Sequence, residues 1–239
     1  MKLGILGGFG GYATIDFFRR LLERFSLDTE RSYPHVIMDN NFSMPSRTKA
    51  LLTGEGWDEI VDAIAHSIRM MLSENVDAIV LVCGTAHAFL PDVYRKVPKA
   101  KEKVVSIIDA LGEKLKNDKI NQVLVIAAEG ALHRKIYTKK LKKMGIEAVE
   151  PAESEWKEIR KYIEAVKKNN YSDEMAEEYL RFIRRYGEKN IVLGCTEFPA
   201  LVNEYKKRDP FYGDEFIFYD PLETVLANLE EISNMKKQS

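Results

Sequence analysis

Ile79-Val80-Leu81-Val82-Cys83-Gly84-Thr85 and Asn190-Ile191-Val192-Leu193-Gly194-Cys195-Thr196 are the two stretches that decide how this chain is read. Each is a short, apolar, β-branched run of the kind buried on both faces of a parallel sheet. Each also ends in a cysteine, with a threonine one or two places further on. The cysteines lie 112 positions apart. A second pair of runs, Lys2-Leu3-Gly4-Ile5-Leu6-Gly7-Gly8-Phe9-Gly10 and Gln122-Val123-Leu124-Val125-Ile126-Ala127-Ala128-Glu129-Gly130, shares a profile at an offset of 120. Two similar offsets suggest two half-length copies of one α/β unit. Alternating hydrophobics also match by chance, and the paired cysteines tilt the balance toward a repeat.

Outward from these runs, strands and helices interleave. Residues 13–25 carry Phe17, Phe18, Leu21, Leu22 and Phe25 at helical spacing, and residues 57–72 carry Ile60, Ile64, Ile68 and Met71 on one helical face. Further strands are expected at 35–38, 104–108, 122–127, 148–150 and 191–193, with helices near 134–144 and within 155–186. This alternation predicts an α/β fold of open parallel sheets. In such sheets ligands occupy the crevice past the carboxyl ends of the strands, and both cysteines sit there. If the two halves face one another, the thiols address one ligand from opposite sides.

Composition narrows the partners. The 239 residues are 45% hydrophobic and 31% charged, as in an ordinary globular protein. Lys+Arg of 36 against Asp+Glu of 37 leaves a net charge of −1, which gives no reason to expect nucleic acid or an anionic membrane. No apolar run reaches the roughly 18–20 residues of a membrane span. A secretory leader would need a longer apolar stretch than the one before Gly7, so the cytoplasm is the default expectation. That setting disfavours a disulfide, and no Cys/His spacing supports zinc; neither a metal nor a cofactor is expected.

Inverting a stereocentre by proton transfer needs a base on one face and an acid on the other. A free thiol titrates near about 8.5, and helix N-termini or nearby cations lower that value. Each cysteine here precedes a helix start whose N–H groups favour a thiolate, so a thiolate/thiol pair would exchange roles with each turnover. Two small, buried apolar residues would be the plain alternative for the same pair.

Taken together, Gly4-Ile5-Leu6-Gly7-Gly8-Phe9-Gly10-Gly11-Tyr12-Ala13-Thr14, Met44-Pro45-Ser46-Arg47-Thr48, Cys83-Gly84-Thr85-Ala86-His87 and Gly194-Cys195-Thr196-Glu197 resemble the aspartate/glutamate racemase family in order and spacing. The resemblance implies racemisation of an acidic amino acid without pyridoxal phosphate, in two pseudo-symmetric α/β domains with the site between them, in a homodimer. It implies a first domain of residues 1–110 plus 209–239, closed by a returning C-terminal helix, and a second of 111–208. It assigns Cys195 to the proton of the L-enantiomer and Cys83 to that of the D-enantiomer. Arg47 would bind the distal carboxylate and Lys157 would close over the same end. Thr85 and Thr196 would serve the α-carboxylate, with Gly8, Phe9, Gly10 and Gly84 lining the substrate.

The chain departs from the family's pattern at three places. Gly84 stands where Asn is usual, Ala127-Ala128-Glu129-Gly130-Ala131 where threonines are, and Gly11 where Pro is. Several side-chain donors to the α-carboxylate are therefore absent. A non-catalytic binder of small acids, or a decarboxylase or cis–trans isomerase using the same cleft, remains a reading of those departures. Gly8-x-Gly10-x-x-Ala13 with Asp39 also fits a dinucleotide fingerprint, which would make the chain an NAD(P)-dependent enzyme. His87, four residues after Cys83, could orient that loop, and Glu197 could tune Cys195 by its charge.

Overall fold

In a computed structural model, the structure describes residues 1–25 and 33–238. The first half runs β1 (Lys2–Leu6), α1 (Gly11–Phe25), β2 (His35–Asp39), α2 (Arg47–Thr53), α3 (Trp57–Ser73), β3 (Ala78–Leu81), α4 (Leu90–Lys96), α5 (Ala100–Lys103) and β4 (Val104–Val105). Helix α6 (Ile107–Asn117) leads into the second half: β5 (Gln122–Ile126), α7 (Glu129–His133), α8 (Ile136–Lys143), β6 (Glu147–Val149), α9 (Trp156–Lys167), α10 (Asp173–Arg184), β7 (Asn190–Leu193), α11 (Glu197–Arg208), β8 (Ile217–Tyr219) and α12 (Pro221–Gln238).

Among the described residues the strands form two four-stranded parallel sheets of the same order, β2-β1-β3-β4 and β6-β5-β7-β8. The expected α/β repeat is thus present in the topology: β1 corresponds to β5 and β3 to β7, at the offsets of 120 and 112. In each sheet the chain steps to one side of the first strand and then crosses to the other, so the order reverses between β1 and β3 and between β5 and β7. A crevice opens at such a reversal because the helices that follow leave in opposite directions. Cys83 and Cys195 each lie two residues beyond the central strand at that point.

The central strands are buried on both faces, which explains their unbroken apolar runs. Side chains alternate across the first sheet: Val80 and Val82 face a core shared with α6 and the second half, whereas Ile79, Leu81 and Cys83 face one built from α2, α3 and α4. The halves touch directly. A Cβ on Gly130 of α7 would lie 3.0 Å from the Thr48 Cα of α2.

Several expectations shift in detail. The helical region within 155–186 divides because Asn169, at φ 52°, takes the left-handed turn after α9, and the N–H groups of Asn169 and Asn170 close back on Val166 and Ala165. Ser172 then caps α10. The strand expected over 104–108 is only Val104–Val105, because Ser106 caps α6 at once. The segment after 209 divides between the halves. Its strand β8 pairs with β7 in the second sheet, while α12 lies against both α1 and α6. Its attachment to α1 is ionic: Arg20 meets Asp220 at 2.6 Å and Asp16 at 2.9 Å, all three nearly buried. Removing one partner of such a buried pair costs about 3–5 kcal/mol. No helix among the described residues is long and apolar enough to cross a membrane.

Candidate active site

Past the carboxyl ends of β1, β3, β5 and β7 lies a cavity of about 370 Å³, and both cysteines line it. Cys83 is 9% exposed and Cys195 8%. Phe9, Arg47, Thr85 and Thr196 line the same cavity, whereas Gly8, Gly10 and Gly84, expected beside them, are not among its lining residues. Thr196 also ties the two cysteine loops together, its hydroxyl 3.5 Å from the Val82 carbonyl.

The first-turn glycines explain how the loops come so close. Gly8 sits at φ 79°, and a Cβ there would lie 2.3 Å from the Asn41 carbonyl oxygen, so the turn closes only with glycine. A Cβ on Gly10 would lie 2.3 Å from Oε1 of Glu197. A carboxylate therefore occupies the spot against the β1–α1 turn where a dinucleotide's pyrophosphate would approach. Asp39, the expected ribose ligand, is instead bonded to the Ser67 hydroxyl. Both features argue against the dinucleotide reading.

Arg47 opens α2 directly after its capping residue, Ser46. Its guanidinium donates to the carbonyls of Phe9 at 2.6 Å and Pro45 at 3.1 Å, and its charge lies 5.1 Å from the centre of the Phe9 ring. Its Nε is buried with no hydrogen-bond partner. No carboxylate is paired with this guanidinium among the described residues, which leaves a fixed cation with a spare donor beside Cys83.

Burial reverses the expectation for the thiols. It pushes Cys83 up, against the Arg47 charge and the N–H groups of Thr85 and Ala86, while the charge of Glu197 adds to the rise. Cys195 is pushed up much further, first by burial and then by Glu197, to whose Oε2 its sulfur donates at 2.9 Å. The helix-start N–H groups that were to favour thiolates are present, but desolvation outweighs them. His87 takes the orienting role. Its Nδ1 meets the Cys83 carbonyl at 2.9 Å and its Nε2 accepts from the Ile107 N–H at 3.3 Å, while burial keeps the ring neutral.

Lys157 is not where the resemblance put it. It is exposed, one turn beyond the cavity on α9, and the next turns of the same helix supply Arg160, Ile163, Glu164 and Lys167 to the wall. Their i, i+3, i+4, i+7 spacing was visible in the sequence, but which turn reaches the cavity was not. Lys167 bonds Glu164 at 3.1 Å, and the charges of Glu197 and Glu164 outweigh its burial and raise its pKa. Glu129, in the threonine-poor turn, is buried at the cavity wall and pairs with Arg160 at 2.5 Å.

Gly84 fills no gap left by a missing Asn. A Cβ there would lie 2.3 Å from the Tyr137 hydroxyl and 2.7 Å from the Gly194 carbonyl, to which that buried hydroxyl donates at 2.8 Å. Gly84→Asn is therefore expected to cost about 1–3 kcal/mol by overpacking rather than to restore a substrate donor. Thermal unfolding followed by circular dichroism reads this directly, and an unchanged or raised midpoint contradicts it.

Known proteins resemble this chain in sequence and fold. Over 170 residues the chain is 25% identical to the glutamate racemase of Sulfurihydrogenibium sp., a match that takes in 68% of this chain and 63% of that protein. Over 229 residues it is 23% identical to the glutamate racemase of Lactobacillus acidophilus, covering 93% of this chain and 77% of the relative. The solved structure of Picrophilus torridus aspartate racemase superposes with a TM-score of 0.78 at 25% identity, covering 98% of this chain and 94% of that one. The family model described as Asp/Glu/Hydantoin racemase matches residues 6–210. Two thiols at equivalent strand ends, on a fold shared over nearly its whole length, agree with that match: the chain belongs to the Asp/Glu/hydantoin racemase family.

Proposed function

We propose that the protein interconverts the enantiomers of a small acidic amino acid, aspartate first and glutamate second, using two thiols and no cofactor. The observation that carries this reading is that Cys83 and Cys195, from corresponding strands of the two halves, line one cavity. A thiolate takes the α-proton from one face while the opposite thiol delivers its proton to the other, and the pair ends the turnover with roles exchanged. Arg47 receives the distal carboxylate, its spare Nε–H and fixed charge suiting that group. Lys167, rather than Lys157, supplies the second cation at the wall. Thr85 and Thr196, beside the sulfurs, serve the α-carboxylate. A homodimer in the cytoplasm, as the resemblance implies, belongs to the same reading.

Chiral chromatography of L-aspartate, L-glutamate and L-alanine incubated without pyridoxal phosphate, metal or nucleotide tests it. Racemisation of one or both acidic substrates is the expected result; turnover of alanine alone, or of none, overturns the reading. The pH dependence carries a sign. One thiol must lose its proton and the other keep it, and burial raises both, so kcat/KM climbs with pH through and past the ordinary thiol range of about 8.5 before it turns over. A profile already flat at neutrality contradicts that assignment.

A further inference from the structure

The two thiols are equally buried but not equivalently partnered, and the difference lies in Glu197. This residue opens α11, is 5% exposed, and lines the cavity. Its Oε2 stands 2.9 Å from the Cys195 sulfur. A carboxylate accepts hydrogen bonds and donates none, so that bond exists only while Cys195 holds its proton. A thiolate at the same place would set two anions against each other in a water-poor site. Cys83 is better supplied: Thr85 and Ala86 direct two N–H groups at its sulfur and Arg47 lies close by, against burial and a push from the charge of Glu197. Cys195 receives one N–H, from Glu197.

The remaining groups around the pair do not reverse this. From α8, the Tyr137 hydroxyl is spent on the Gly194 carbonyl, and burial holds it neutral. Tyr179 of α10 is likewise buried and neutral. His87 bonds backbone on both ring nitrogens. Lys167 of α9 favours an anion on Cys195, but its ammonium is shared with Glu164 and with Glu197 itself.

Building on the racemase reading, we propose that Glu197 is a positioning residue that keeps the shared proton on Cys195 in the empty protein, so that the first thiolate to form is that of Cys83. Once the pair has lost one proton, the empty protein is in the form that removes a proton on the Cys83 face. Starting from the other face requires one proton to leave the Cys195 sulfur and one to arrive at the Cys83 sulfur, with no change in oxidation state.

Limited alkylation with iodoacetamide tests this, because a thiolate displaces iodide and a thiol does not. The two residues are similarly exposed, at 9% and 8%, and comparing wild type with Glu197→Gln at the same two sulfurs separates protonation from access. At about pH 8, peptide mass spectrometry is expected to find Cys83 labelled about tenfold or more ahead of Cys195, the ratio produced by one unit of pKa separation. Glu197→Gln, which removes the charge, is expected to bring the two within about threefold of each other. Parity in the wild type, or Cys195 labelled first, overturns the proposal, and so does a ratio unchanged in Glu197→Gln. If that variant does not fold, Glu197→Ala is labelled in the same way, with the same expected fall in the ratio and the same overturning result. Racemisation measured on the same sample keeps the two ideas apart. Preferential Cys83 labelling that falls in Glu197→Gln, without racemisation, supports the Glu197 role and sinks the racemase reading. Racemisation with Cys195 labelled first does the reverse.

Discussion

Cys83→Ser and Cys195→Ser are each expected to lower racemisation of the acidic substrate by at least about a thousand-fold, within the range that positioned proton transfer contributes. Serine keeps the shape of the side chain but holds its proton far more tightly than a thiol. A protein lacking either sulfur therefore has an acid without a base, or a base without an acid, and inversion needs both. Because serine is close to cysteine in size and both positions line the cavity wall, the replacement preserves the cavity, and an unchanged thermal midpoint verifies this. Chiral chromatography in both directions is the measurement. Near-wild-type rates in either variant contradict the assignment of both residues.

The second large effect belongs to Arg47. Replacing it by alanine removes a cation held in place by two backbone carbonyls and an aromatic face. Losing one partner of a buried charged contact costs about 2–5 kcal/mol, which is about 30- to 5,000-fold in affinity for the acidic substrate. The loss should appear mainly in KM, with a neutral amino acid far less affected. It should also raise the thiol of Cys83 further, since Arg47 is the main influence lowering it. Equal losses for acidic and neutral substrates would show that Arg47 supports the cavity rather than recognising the distal carboxylate.

The sheet and the paired cysteines were legible because central strands of a parallel sheet are apolar throughout, a signal that needs no partner to be read. Edge elements were less so. Strand β8, only three residues, carries too little periodicity to stand out, and it joins the second sheet although the segment around it was expected in the first half. Single-residue events also escape a pattern search, as with the left-handed Asn169 that splits 155–186 into two helices.

Within the site, residue identity was more legible than residue environment. The sequence put N–H donors at both cysteines, but it contained no measure of how deeply the sulfurs are buried, and burial decides the direction of both thiols. The pairing of Glu129 with Arg160 joins residues on different helices and has no local signature. Lys157 illustrates the same limit. The helical stripe through it is real, yet only the packing of α9 on the cavity selects Arg160, Glu164 and Lys167 from that stripe.

Racemisation of L-aspartate in D₂O, stopped early and analysed by NMR and mass spectrometry after separating the enantiomers, bears most directly on the pair of thiols. With one sulfur on each side of the α-carbon, newly formed D-aspartate should carry deuterium while the L-aspartate still present remains almost wholly protonated. Deuterium accumulating equally in both enantiomers from the outset would mean that one group serves both faces, and the arrangement argued from Cys83 and Cys195 would be wrong.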